Sequence, residues 1–435
     1  MQKLLPHHQH QRVLHFLTKK HIFIAIYLLL LLALLHLQFH QQKKSINSPH
    51  QVVRSVPKEE DDNTNTRRGA QCDYSNGRWI RSKAEPIYNG TSCGTIKKGQ
   101  NCMANGRPDT GYLHWRWRPA ACELHEFNPS LFLSLLENKH LAFIGDSLAR
   151  NQVESLMCLV STVSSPVLVY RDGDENKFRR WSFPSHNASV SVFWSPLLIK
   201  HLEKEPSLGK NHNKLYMDSV DERWASELDQ MDIVVFSAGH WFLLPAIYHD
   251  AGGEVLGCHY CPEFNHTEIG FFDIYRKTLR TVLNEVRIRQ ERTITRRRRS
   301  DKLVVLTTFS PAHFEGEWNN AGACSKLEPF REGEKKMGYM DMEMRRIGVE
   351  ELKDAAEKKK RKMGENGSVK YEALEVSDLA WMRPDGHPGA YMNPFPYAQG
   401  FKERMPNDCV HWCLPGPIDT WNEILLDMIK RWKSD

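Results

Sequence analysis

Three apolar runs constrain this chain more than any other feature. "HLAFIGD" (140–146), "DIVVFSAGH" (232–240) and "KLVVLTTFSP" (302–311) are short, continuous and rich in β-branched and aromatic residues. Runs without alternation, separated by helical stretches such as "SLARNQVESLMCLV" (147–160), describe strands buried on both faces of a parallel sheet. The expected fold is therefore α/β, a parallel sheet covered by helices, spanning residues 127–435. It closes on "PIDTWNEILLDMIKRW" (417–432), with Pro417 where a first-turn proline belongs. Each run ends in small polar residues: Gly145-Asp146-Ser147, Ser237-Ala238-Gly239-His240 and Ser310-Pro311-Ala312-His313. In such sheets ligands bind beyond the carboxyl ends of the strands, so the site is sought there.

The segments before this sheet indicate the compartment. Residues 1–21 are basic and His-rich, and Ile22–Leu35 is an uninterrupted apolar run extended weakly to Phe39. That is near the short limit of roughly 17 residues for a spanning helix. Lys3, Arg12, Lys19 and Lys20 precede it and no small-x-small site follows, so it reads as an uncleaved signal anchor (22–39) behind a cytosolic tail (1–21). A cleaved signal peptide is the alternative. Residues 40–70 are polar and almost free of aromatics, as a flexible lumenal stalk would be. Ten cysteines and the sequons at Asn89, Asn187, Asn265 and Asn366 agree with an oxidising lumen. Four of those cysteines fall in 71–126, which reads as a disulfide-tied N-terminal subdomain. Its "HWRW" places Trp115 and Trp117 either in that subdomain's core or on a sugar-stacking surface, with the core preferred. The net charge of +6 is too mild to imply nucleic acid. Arg296–Arg299 and Glu357–Lys362 read as solvated surface loops, with an acidic polysaccharide or lipid contact as the alternative.

Gly-Asp-Ser by itself is ambiguous, because Ser and Asp are both favoured helix caps. A nucleophilic Ser147 needs a base, a group to orient that base, and donors for an oxyanion. On the helix that follows, Arg150 and Asn151 lie at i+3 and i+4, on the same face. The C-terminal "NDCVHWC" supplies Asp408 and His411 three residues apart, close enough for the carboxylate to hold one imidazole nitrogen while the other faces the serine. Cys409 and Cys413 bracket His411. A second pair, Asp385 and His387 in "RPDGHPGAY", reads as a structural or substrate-side loop.

"FIGDSLARN", "SAGHW", "RPDGHPGAY" and "DCVHWCLPGPIDTWNEIL" together resemble the plant trichome birefringence-like family, over about Cys72 to Trp432. The family consists of Golgi polysaccharide O-acetyltransferases with a PC-esterase domain of SGNH/GDSL type. The resemblance implies a flavodoxin-like SGNH/GDSL sheet, with Ser147 as nucleophile, Asp408 as acid and His411 as base. It implies disulfides Cys72–Cys122, Cys93–Cys158, Cys102–Cys413 and Cys324–Cys409, which leaves Cys258 and Cys261 for each other. A CxxC can otherwise bind metal or do redox chemistry, but no second ligand pair accompanies it, and no metal is expected. His240 stands where general SGNH enzymes carry an amide donor, so the oxyanion or substrate-binding donors are sought among Gly239, Asn151, Arg150 and His240.

The implied reaction is acetyl transfer through an acetyl-serine to a hydroxyl of a cell-wall hemicellulose, with glucomannan favoured over xyloglucan from "NGRPD", "YLHWRWRP" and "RRWSFPSHNASVSVFWSP". A polysaccharide acetylesterase and a non-catalytic wall-polymer-binding protein are the other readings. No bound cofactor is expected, and acetyl-CoA is the expected donor. The expected location is the Golgi membrane, single-pass type II, beside other Golgi acetylation proteins or glycosyltransferases.

Overall fold

The alternation of side chains along a strand decides how the apolar runs pack. Leu141, Phe143, Ile233, Val235, Leu303 and Val305 face one core, while Ala142, Ile144, Val234, Phe236, Val304 and Leu306 face the other. Both faces of these strands are therefore buried, which is why the runs carry no polar alternation. The computed structural model describes residues 72–173, 177–204, 211–295, 301–363 and 369–434. The tail, anchor and stalk expected over 1–70, the Arg296–Arg299 run and the Asn366 sequon lie outside the described residues. Among the described residues no helix is long and apolar enough to cross a membrane.

The strands are β1 (Gly77–Arg81), β2 (Trp115–Pro119), β3 (His140–Gly145), β4 (Val167–Asp172), β5 (Phe178–Phe183), β6 (Ala188–Trp194) and β7 (Ile199–Leu202). After them come β8 (Asn213–Val220), β9 (Ile233–Ser237), β10 (Ala246–His249), β11 (Val255–His259), β12 (Lys302–Thr307) and β13 (Val369–Leu374). The main sheet runs β13-β12-β9-β3-β6-β5-β4. Its first five members are parallel, and β5 and β4 continue antiparallel at the edge. Numbering the parallel strands by chain order gives 2-1-3-4-5, the flavodoxin-like winding. That winding reverses at β3, whose carboxyl end carries Ser147. The antiparallel edge and a separate four-stranded sheet, β11-β10-β8-β7, go beyond the expected parallel sheet.

Helices α1 (Ser147–Val160) and α4 (Asp419–Ser434) cover the first face. Helices α2 (Phe271–Thr295) and α3 (Tyr339–Met363) cover the second. Glu357–Lys362, expected in a loop, forms the last exposed turns of α3. Cationic side chains there complement the negative end of the helix dipole.

Residues 71–435 form one compact unit. Within it the cysteine-rich segment shares the first core rather than standing apart. Trp117 is 1% exposed, packs edge-to-face on Trp79 at 5.6 Å and donates its indole N–H to the Tyr74 carbonyl at 2.9 Å. Trp115 is only half-buried. Cys72 pairs with Cys122, and three further disulfides carry the segment and its surroundings to the site: Cys93–Cys158 on α1, Cys102–Cys413, and Cys324–Cys409. Of the sequons, Asn89, Asn187 and Asn265 are exposed.

Candidate active site

Whether Ser147 caps α1 is answered by its neighbour. Asp146 is the N-cap residue, and one of its carboxylate oxygens accepts from the Leu148 N–H at 2.9 Å. The other accepts from the Gly239 N–H at 3.1 Å, tying the ends of β3 and β9 together. Gly145 permits this approach, because a Cβ there would lie 1.7 Å from the Ser237 carbonyl oxygen. Ser147 is thus the first helical residue, half-buried, with its hydroxyl not needed for capping. Among the described residues that hydroxyl makes no hydrogen bond, with His411 or any other group. Contacts of this kind commonly tighten only in the reacting complex.

His411 stands in a loop fastened on every side. Its Nδ1 donates to Asp408 Oδ2 at 2.7 Å, which leaves Nε2 with the lone pair. Asp408 Oδ1 accepts from the backbone N–H groups of Val410 and His411 at 3.0 and 2.9 Å. Burial pushes the Asp408 carboxyl up, but the His411 charge and these hydrogen bonds outweigh it and hold the acid ionised, well below the usual range. For His411, burial alone would push the imidazole down; the Asp408 charge and hydrogen bond carry it above 6.5 instead. The disulfides at Cys409 and Cys413 flank the loop, and Asp408 pairs with Gly389 through both backbone groups.

Asn151, one turn beyond Ser147, binds the loop directly. Its Oδ1 accepts from the Trp412 N–H at 2.7 Å, and its Nδ2 donates to the Trp412 carbonyl at 3.2 Å. The helix that starts at Ser147 thereby clasps the residue next to His411. Replacing Asn151 with Ala leaves a buried N–H and a buried C=O unpaired. The expected cost is about 2–4 kcal/mol in urea unfolding, with turnover lowered roughly a hundredfold by the loosened loop.

The four residues considered as donors are therefore not equivalent. Asn151 engages Trp412 through Oδ1 and one hydrogen of Nδ2, which leaves its second N–H, whereas the Gly239 N–H is taken by Asp146. His240 donates Nε2–H to the Ser310 carbonyl at 2.9 Å while its ring packs on Phe309 at 4.7 Å. Burial pushes its imidazole down, so it is neutral and committed. Arg150 differs: its guanidinium lies 4.5 Å over the Trp194 ring, and among the described residues it has no hydrogen bond or salt bridge. It is the candidate with donors to give.

His387 has a part that the sequence spacing concealed. Asp385, two residues before it, is taken by Arg383 at 2.8 Å, both fully buried. His387 instead donates Nδ1–H to the His411 carbonyl at 2.7 Å and stacks on Trp412 at 4.2 Å. His313, 2.7 Å beyond it, completes the support from the end of β12. The only sequence signal for these was their position in two strand-end or Pro-rich motifs. Cys258 and Cys261 are joined in a disulfide with Glu268 beside them, so neither sulfur is available as a thiolate ligand.

Nucleophile, base and orienting acid on facing elements are the equipment of acyl transfer. Residues 124–428 match PC-esterase, the GDSL/SGNH-like acyl-esterase family found in Pmr5 and Cas1p, and residues 70–123 match the PMR5 N-terminal domain. The chain is 57% identical to xyloglucan O-acetyltransferase 1 of Populus trichocarpa over 83% of its length and 82% of that protein's. It is 53% identical to xyloglucan O-acetyltransferase 1 of Arabidopsis thaliana, covering 83% and 81%. Protein trichome birefringence-like 25 of Arabidopsis thaliana is 39% identical, covering 89% and 82%.

Proposed function

The chain belongs to the PC-esterase and trichome birefringence-like family of polysaccharide O-acetyltransferases, and from that membership we propose that it acetylates xyloglucan. Xyloglucan takes the place of the glucomannan expected from the sequence, because relatives named for xyloglucan match more than four-fifths of the chain at 53–57% identity. The single observation that carries the catalytic assignment is the His411 loop, oriented by Asp408 at 2.7 Å and clasped by Asn151 one turn from Ser147.

In the proposed reaction, His411 Nε2 takes the proton of Ser147, and Oγ attacks the carbonyl of the acetyl donor. The tetrahedral oxyanion lies at the N-terminus of α1, where backbone N–H groups and the dipole favour negative charge. Arg150 supplies a side-chain donor. Collapse returns the proton from His411 to the leaving group and leaves acetyl-Ser147. A sugar hydroxyl then gives its proton to His411 and takes the acetyl group, and Ser147 recovers its proton. Acetyl-CoA is the proposed donor, and the Golgi lumen, reached through the 22–39 anchor, the proposed location.

The test is to incubate the full-length protein with acetyl-CoA and deacetylated xyloglucan or glucomannan oligosaccharides, counting acetyl groups by mass spectrometry. Acetylated xyloglucan is expected. Transfer to glucomannan alone would overturn the acceptor assignment.

A further inference from the structure

Behind the His411 loop two buried imidazoles meet nitrogen to nitrogen. His313 and His387 are 6% and 2% exposed, and His313 Nδ1 lies 2.7 Å from His387 Nε2. The other nitrogen of each ring faces a backbone carbonyl: His387 Nδ1 that of His411 at 2.7 Å, His313 Nε2 that of Trp381 at 2.8 Å. Turning either ring over would put carbon atoms into both of its contacts, so the partners fix both orientations.

A carbonyl oxygen only accepts, so each of those two contacts needs a proton on the imidazole nitrogen. A neutral imidazole has one N–H, and both are then already placed. With both rings neutral, two lone pairs would oppose each other at 2.7 Å. A third proton between the nitrogens turns that opposition into a short, charge-assisted hydrogen bond. A fourth would set two N–H groups against each other. From this count we infer that His313 and His387 share one proton, carry one positive charge between them, and through it position the His411 loop for the reaction.

Burial opposes charge on either ring, and charge on His313 opposes a proton on His387, which excludes a second charge. The surroundings hold the first. The Trp412 ring stacks on His387 at 4.2 Å and the Trp381 ring on His313 at 5.3 Å, and indole faces attract cations. Asp408 draws a proton toward His387 and Asp385 toward His313, while His411 and Lys335 push against it. Arg383 is bound to Asp385, and Arg107 donates to the His387 carbonyl. The His313 backbone N–H also donates to the Cys409 carbonyl at 3.0 Å, so this pair braces the loop on both sides of Val410. Loss of the proton sets lone pair against lone pair and loosens both braces. Activity then needs His411 neutral and the pair charged, which gives an acid limb from the first and an alkaline limb from the second.

His313→Phe keeps a ring and removes the shared proton, whereas His313→Asn offers His387 Nε2 an uncharged amide N–H. The first measurement is urea unfolding of the full-length parent and His313→Phe from about pH 6 to about pH 9, across the ordinary histidine range. Above about 6.5 the unfolded chain has released its histidine protons while the folded pair keeps one. The parent's advantage over the variant is therefore complete below about 6.5 and is lost as pH rises through the pair's higher folded value. In that window the ratio of the two folding equilibria is expected to shrink about tenfold per pH unit, with His411, present in both, cancelling. A ratio that stays constant above about pH 7 would overturn the shared proton. The second measurement is kcat for acetyl transfer to a xyloglucan oligosaccharide over the same range. An alkaline limb is expected in the parent, a kcat about tenfold lower and without that limb in His313→Phe, and a near-parental kcat without the limb in His313→Asn. A limb retained in His313→Asn would overturn the positioning role. This kinetic arm rests on His411 as the base, as proposed above. No transfer to xyloglucan by the parent would overturn that reading, while the unfolding measurement still decides the proton.

Discussion

Ser147→Ala is expected to lower acetyl transfer by about 10⁶, to background, and to eliminate the acetyl-enzyme seen by intact mass after exposure to donor alone. The effect is large because the hydroxyl is the only part of the arrangement that forms the bond; His411, Asp408 and the helix terminus act through it. Loss of function without loss of fold is expected here for a structural reason. Asp146, not Ser147, caps α1 and receives the Gly239 N–H. Thermal unfolding of Ser147→Ala should therefore match the parent. Asp146→Ala removes both contacts and should unfold more easily, by about 1–3 kcal/mol. An acetyl-enzyme that persists in Ser147→Ala would remove the serine from the mechanism.

Asp408→Asn is expected to lower turnover by about 10⁴. The carboxylate fixes the tautomer: while it accepts from Nδ1–H, Nε2 is the base. An amide that turns its NH₂ toward Nδ1 places the proton on Nε2 and disables the imidazole. The pH profile separates this from simple unfolding. His411 works as a base only when neutral, and in the parent the Asp408 charge holds its pKa above 6.5, so activity falls as pH drops through a value above 6.5. Removing the charge takes away the upward pull and leaves burial pulling down. The acid limb should therefore move to lower pH while the plateau drops. A rate loss with an unmoved limb would mean that Asp408 only braces the loop.

Much of this is legible in the sequence. The unbroken runs at 140–146, 232–240 and 302–311 read as doubly buried strands because period-2 polarity vanishes when both faces are covered. Asp408 and His411 read as partners because three residues on one loop bring their side chains within reach. The four-stranded sheet was not legible in the same way: β7 is only Ile-Lys-His-Leu, too short to carry a period. The antiparallel edge arises at the turn Pro184–Asn187 that joins β5 to β6, whose hairpin character lies in a left-handed Asn187 rather than in any hydrophobic pattern. The hydrogen-bond partners of Asn151, His240 and Gly239, at Trp412, Ser310 and Asp146, were not legible either, because they lie 70 or more residues away in the chain.

Local chemistry, then, was determined by the sequence alone: which three segments are doubly buried strands, which serine stands at a strand's end, and which histidine has an acid beside it. These follow from periodicities and spacings that act within a few residues. Only the tertiary structure decided that Asp146 caps the helix and ties it to Gly239, 93 residues away, and that Asn151 holds Trp412 across 261. Such meetings arise from the packing of distant segments, each held by many weak contacts, and no short stretch of sequence encodes the sum.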